Sequence, residues 1–259
     1  MKFLETFYKK FLSGRLGGRR PPNRIMKILA VDTSATVLSV ALTEDKTPIA
    51  QINLNTGHTH SETLLPSLER LMDSAAWSVS DIDLFAVSEG PGSFTGVRIG
   101  VSFVKGLAYG EKKCVGVSTL SALAYNLSGF RGIISPVMDA RRSQFYNALF
   151  ESDGKTLTRL TEDRAISAED LEAELEKYSD RPIYLCGDGY EIARKMLKNE
   201  NICDTPEALV RQSAYSVAMV ALGEYEKGNF TDDLGLSPMY LRVPQAERER
   251  LERLAKEDK

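Results

Sequence analysis

The chain has 259 residues, 42% of them hydrophobic and 27% charged, with a formal net charge of −3 and three scattered cysteines, Cys114, Cys186 and Cys203. That length holds one or two domains with a sizeable core. The composition excludes a membrane span, since no apolar run approaches ~18 residues, and an odd, widely spaced cysteine set excludes a disulfide framework and points to a reducing cytoplasm.

Residues 1–25 carry seven basic residues against Glu5 alone, with Phe3, Leu4, Phe7, Tyr8, Phe11 and Leu12 on one helical face before "SGRLGGRRPPN" breaks any helix. A disordered basic extension is expected there, because the arginines lack the spread of a targeting peptide. The remaining chain is acidic, a balance that does not favour binding nucleic acid unaided. A folded domain is expected from Met26. Short apolar runs at 27–32, 37–44 and 47–55, joined by polar turns, predict three strands. A helix over 61–76 follows, with Leu64, Leu65, Leu68, Leu71 and Met72 at helical spacing. Strand 83–90 leads through "GPG" into a helix over 94–110 with Ser93 as its N-cap. Strand 114–118 and helix 118–127 complete a first α/β unit, 26–130.

The second unit, 131–243, repeats the strand-first, helix-later order. Strands are predicted at 132–140 and 143–152, with a third within 154–167. A helix from Ser167, with Asp170 three residues on, carries a capping-box-like start. Strand 182–189 ends in the glycine turn "CGDG", and helices are expected over 190–199 and 213–228. The tail 244–259 alternates acids and bases and is expected to be a solvated helix or frayed end.

Few residues invite chemistry. Asp32, Thr33 and Ser34 sit at a strand end, where an acid can hold Mg²⁺ and a turn can meet phosphate; the same three residues are also ordinary turn chemistry. His58 and His60 are two apart, not the four a helical metal face needs, and His60 is expected in the loop before the helix. No phosphate-binding loop ending in Gly-Lys-Ser/Thr and no nucleophile elbow occurs. In the helix after "GPG", Val97, Val101, Val104 and Ala108 line one face and Ile99, Phe103 and Leu107 another. A helix apolar on two faces is covered on both. Gly96 and Gly100, four apart, allow a close helix approach, either by the same chain or by another protein.

The segments "MKILAVDTS", "HSETLLPSLERLM", "EGPGSFTGVRIGVSFVKGLAYG" and "DARRSQFYNALF", in this order, resemble the TsaB/YeaZ family from Met26 to about Arg242. The resemblance implies two ribonuclease-H-like halves of the actin, heat-shock ATPase and sugar kinase superfamily. It implies a non-catalytic subunit of the complex that places threonylcarbamoyl on N6 of the adenosine following the anticodon, in tRNAs reading codons that start with A. The implied partners are the catalytic paralogue TsaD and the ATPase TsaE, with tRNA met only through the complex and a homodimer open to the same face. That face is expected on helices 61–76 and 94–110: Leu64, Leu65, Leu68, Leu71, Met72, Gly96, Val97, Gly100, Val101 and Val104. On this reading Gly100→Leu weakens association with the fold kept.

The chain departs from the paralogue where catalysis would need groups. Thr119 and Leu123 stand at its metal-binding histidine positions, and Asp139–Ser143, "DARRS", replaces a glycine loop, so that Arg141 and Arg142 put bulk where a nucleotide would enter. Asp139 and Arg141 are expected to pair within the site or with a neighbour rather than to do chemistry. Neither a metal nor a cofactor is implied, apart from ATP at the interface of the assembled complex. The competing readings are an ATP-dependent phosphotransferase, a metallopeptidase, or a nucleotide-sensing module.

Overall fold

The structure is a computed structural model and describes residues 25–242; the expectations for residues 1–24 and 243–259 lie outside the described residues. Its first sheet has the order β3-β2-β1-β4-β5. Strand β1 (Lys27–Asp32) is central and buried after its first residue, β2 (Leu38–Glu44) and β3 (Thr47–Leu54) form an antiparallel meander beside it, and β4 (Leu84–Gly90) and β5 (Lys113–Ser118) run parallel on the other side. One face is covered by α1 (His60–Ala75) and α2 (Phe94–Leu107), whose Leu64, Leu68, Val97, Val101 and Val104 pack on Leu29, Val31, Val40, Phe85 and Val87.

Helix α1 starts one residue earlier than the periodicity alone indicates. Glu62 accepts from the Thr59 backbone N–H at 3.2 Å, the reciprocal arm of a capping box. His60 is therefore the first helical residue, not a loop residue, and its Nε2 lies 2.7 Å from the Ala35 carbonyl. Helix α2 stops at Leu107 rather than 110, because Gly110 and Glu111 take positive φ angles.

The second sheet has the order β10-β7-β6-β11-β12, again a first strand flanked by an antiparallel partner on one side and parallel strands on the other. It comprises β6 (Arg131–Asp139), β7 (Gln144–Asn147), β8 (Phe150–Asp153), β9 (Leu157–Arg159), β10 (Arg164–Ser167), β11 (Ile183–Cys186) and β12 (Ile202–Cys203). The single strand expected over 143–152 is two. Both pieces keep one register against β6, Ile134 opposite Phe150 and Val137 opposite Asn147, and the break falls opposite Pro136. Proline cannot donate to the ladder. Asn147 fills the gap from its side chain, donating to Ser135 Oγ and the Pro136 carbonyl, each at 2.9 Å. The outer face carries α4 (Ala168–Leu175), capped by Ser167, and α5 (Tyr190–Met196).

Two helices lie between the sheets. Helix α3 (Thr119–Tyr125) packs Leu120, Leu123 and Ala124 on the second sheet. Beyond the short α6 (Glu207–Val210), α7 (Ala214–Glu226) turns back and packs Val217, Ala218, Ala221 and Leu222 on Ile28, Ala30, Ala86 and Val117 of the first. A boundary at 130/131 therefore assigns α7 to the wrong half. The reason is that α7 is apolar all round and needs cover on both sides, which only the space between the sheets supplies.

After α7 the chain forms a strap along α2. Thr231 pairs with Cys114 on the edge of β5, Leu236 enters the first core, Lys105 Nζ donates to the Leu236 carbonyl at 2.8 Å, and Met239 N–H donates to the Glu89 carbonyl at 2.7 Å. The strap ends at Arg242, which donates to the Ala140 carbonyl at 2.8 Å and to Gln144 Oε1 in the second half. No helix among the described residues is long and apolar enough to cross a membrane.

Candidate functional site

The first candidate is the turn at the end of β1. Asp32, Thr33 and Ser34 are each 0% exposed. Asp32 Oδ1 accepts from the Ser34 N–H at 2.9 Å and the Ser34 hydroxyl at 2.6 Å, and Oδ2 accepts from Ser88 Oγ at 2.6 Å. Burial pushes the Asp32 carboxyl upward, against the pull of those three donors. Thr33 Oγ1 donates to the Gly96 carbonyl at 2.7 Å, and the Ser34 carbonyl accepts from Ser93 N–H at 2.7 Å. The turn is thus occupied by the chain itself. As candidates for nucleotide contact the three residues are corrected: they anchor the start of α2.

Glycine makes that closure sterically feasible. A β-carbon on Gly92 would fall 2.4 Å from the Ser34 carbonyl, one on Gly96 2.1 Å from the Thr33 carbonyl, and one on Gly100 2.4 Å from Thr33 Oγ1. Gly96 and Gly100 therefore face their own β1 turn, and no second helix approaches through them. The same correction covers most of the expected partner surface. Leu64, Leu68, Leu71, Met72, Val97, Val101 and Val104 are buried in the first core, and of the ten residues only Leu65 is exposed, at 40%. The exposed positions of the two helices include instead Leu65 and Pro66 on α1 and Ser102 and Gly106 on α2, with Ile99 and Phe103 half-buried between them and the first core. Gly106 has open space where a β-carbon would stand.

A cavity of about 290 Å³ opens between the halves, lined by the Pro91–Phe94 loop, Asp139–Arg141, Tyr146, Asp188 and the strap residues Met239–Arg242. Asp139 ends β6 as Asp32 ends β1, so the two sheets present an acid at equivalent strand ends. The environments differ. Ser88, at the end of β4, quenches Asp32, whereas Asp188, just after β11, sets a second acid beside Asp139. Burial, with the charge of Asp139 adding to it, pushes Asp188 up to about 6, and its Oδ1 is buried without a hydrogen-bond partner. Arg141 pairs with Asp139 at 3.1 Å, as expected. Asp188, Tyr146 and the strap escaped the sequence reading. The acid between two glycines in "CGDG" is a usable signal, but nothing local reveals that residues 239–242 return to this loop.

Thr119 and Leu123 are buried on α3. Among the described residues no cluster of three His, Cys, Asp or Glu side chains is placed to hold a metal.

Comparison with known proteins follows the same line. Residues 54–233 match the family model of TsaD, tRNA N6-adenosine threonylcarbamoyltransferase. The chain is 33% identical to the tRNA threonylcarbamoyladenosine biosynthesis protein TsaB of Bacillus subtilis over 86% of this chain and 96% of the relative. It is 28% identical to TsaB of Escherichia coli over 84% of this chain and 95% of that one. Its fold is shared with YeaZ from Pseudomonas aeruginosa, at a TM-score of 0.70 and 24% identity, covering 84% of this chain and 100% of the other.

Proposed function

The chain belongs to the TsaB family of tRNA threonylcarbamoyladenosine biosynthesis proteins, and from that membership we propose that it is a supporting, non-catalytic subunit for a TsaD paralogue. In this reading the paralogue transfers threonylcarbamoyl to N6 of the adenosine after the anticodon, in tRNAs that read codons starting with A. This chain holds the paralogue in its working assembly in the cytoplasm. TsaE docks on the pair, and any ATP sits at an interface of the complex rather than in this chain's own turn.

The observation that carries the reading is the closure of the β1 turn by α2. Asp32, Thr33 and Ser34 are 0% exposed and hydrogen-bonded within the chain, so a phosphate has no route to them without moving the helix. The other side of the same helix pair offers an apolar strip, Leu65, Ile99 and Phe103, with Gly106 leaving room for a partner's backbone. This strip replaces the inward residues as the proposed docking face, for the paralogue and for a second copy of the chain.

The test is reconstitution. Purified chain mixed with the TsaD homologue at micromolar concentration should co-elute as one species, and tRNA modification should require both proteins. Separate elution, or modification by the paralogue alone at an undiminished rate, would sink the reading.

A further inference from the structure

Four arginines lie at or beside the cavity between the halves: Arg141 and Arg242 line it, Arg98 stacks on its Phe94, and the exposed Arg142 follows Arg141 in the chain. Arg98, exposed on α2, lies 3.8 Å over the Phe94 ring and donates from Nε to the Tyr240 hydroxyl at 2.6 Å. The Phe94 and Tyr240 rings are 4.8 Å apart and both line the cavity. Arg242 also lines it and sits 5.8 Å from the Tyr146 ring. Arg141 and Arg142 follow in a turn whose residues 141–143 all take positive φ, with the Arg141 side chain 86% exposed. Of the four, only Arg141 forms an ion pair among the described residues, with Asp139. Among the described residues, Arg98, Arg142 and Arg242 have no acidic partner.

Most other arginines of the chain are neutralised: Arg159, Arg164, Arg181, Arg194 and Arg211 each hold a carboxylate. Among the described residues Arg70, Arg98, Arg131, Arg142 and Arg242 form no ion pair, and three of these five stand at or beside this rim, although the chain as a whole is acidic. Their chemistry is that of phosphate recognition, since a planar, permanently charged fork matches phosphate oxygens. Aromatic rings set among arginines add platforms on which unpaired bases stack. The rim's ring hydroxyls and guanidinium groups suit a sugar-phosphate chain; of the lining acids, Asp139 is paired with Arg141 and Asp188 has its Oδ1 buried.

We propose that this arginine–aromatic rim, formed by Arg98, Arg142 and Arg242 with Phe94 and Tyr240, is a contact surface for the phosphate backbone of a folded RNA. The proposal rests on the tRNA-modifying reading for its choice of RNA, and it gives this chain a direct hand in holding the substrate within the complex. Phosphate contacts of this kind position an RNA without reading its sequence.

The experiment uses the full chain, alone and in complex with the TsaD homologue, and a fluorescein-labelled unmodified transcript of a tRNA that reads a codon starting with A. Binding is followed by fluorescence anisotropy across a salt series, for the parent, R142Q and R98Q/R142Q. Each lost phosphate contact should flatten the plot of log affinity against log salt by roughly 0.7–0.9. The double variant should bind ~10-fold or more weakly at low salt, with R142Q intermediate. Arg142 makes no side-chain hydrogen bond or ion pair among the described residues, so R142Q guards against a folding defect in the double variant, and thermal melting of both checks it. As a charge control, K46E/K177E changes two exposed lysines that do not line the cavity, one between β2 and β3 and one in the turn after α4, and should leave the affinity within about twofold. Unchanged affinity and slope in R98Q/R142Q, or an equal loss in K46E/K177E, would overturn the proposal. Failure of co-elution with the TsaD homologue would instead overturn the supporting-subunit reading, and the rim would still be tested on the chain alone.

Discussion

A β-carbon on Gly96 would lie 2.1 Å from the carbonyl oxygen of Thr33, and the Thr33 hydroxyl donates to the Gly96 carbonyl at 2.7 Å. The two residues weld the start of α2 to the end of β1, and the weld shuts the turn that a phosphate would need. Because the obstacle is backbone, it cannot rotate aside. Gly96→Ala should cost about 2–3 kcal/mol in urea denaturation. Gly106→Ala, in the same helix but with open space at its β-carbon, should add about 0.5–1 kcal/mol. Equal effects of the two substitutions would contradict the assignment of the helix faces.

The docking face can be separated from the fold by the same logic. Gly106→Trp and Leu65→Glu alter outward positions and should abolish co-elution with the TsaD homologue while the melting temperature changes by only a few degrees. Gly100→Leu does not serve that purpose, because its β-carbon would meet Thr33 Oγ1 at 2.4 Å and Val87 at 3.3 Å. It should destabilise the isolated chain. Retained co-elution of both outward variants would move the interface elsewhere.

Asp188 sets a pH signature. Its folded value is pushed up to about 6 by burial and then by Asp139, above the unfolded value of about 4. Between these limits the native state binds the extra proton, so stability falls as pH rises through the window. Asp188→Asn removes that term. The variant should match the parent near pH 4 and exceed it at pH 7 by on the order of 2 kcal/mol. A constant difference across the range would show that Asp188 does not titrate in the window.

Burial also sorts the cysteines. Cys114 is pushed up to about 12, and Cys186, fully buried, is raised further, while Cys203 is half-buried. A neutral-pH thiol reagent should therefore label about one thiol per native chain and all three cysteines after denaturation. Rapid native labelling of Cys114 would mean that the Cys114–Thr231 pairing of the strap opens readily.

Most strands of both sheets, the longer helices and the caps at Ser93 and Ser167 were legible in the sequence, because strand and helix formation follow alternation, periodicity and capping chemistry within a few residues; the short β12 and α6 were not. The pairing of Asp139 with Arg141 was legible for the same reason, two residues apart. The break at Pro136 was readable in principle, since the proline stands in plain view, but its effect falls on the partner strand twelve residues on.

What the sequence determined by itself was the family, the duplicated layout and the apolar character of helices 61–76 and 94–110. What only the tertiary structure decided was the direction of each face. Val97, Val101 and Val104 are as apolar as a docking surface requires, and nothing local distinguishes a valine facing its own sheet from one awaiting a partner. The glycines carry the same ambiguity: a missing β-carbon admits whichever backbone is near, and here that is Thr33 of the same chain. The return of residues 239–242 to the second half, and with it the arginine rim, depends on contacts about a hundred residues apart in sequence, which no pattern along the chain encodes.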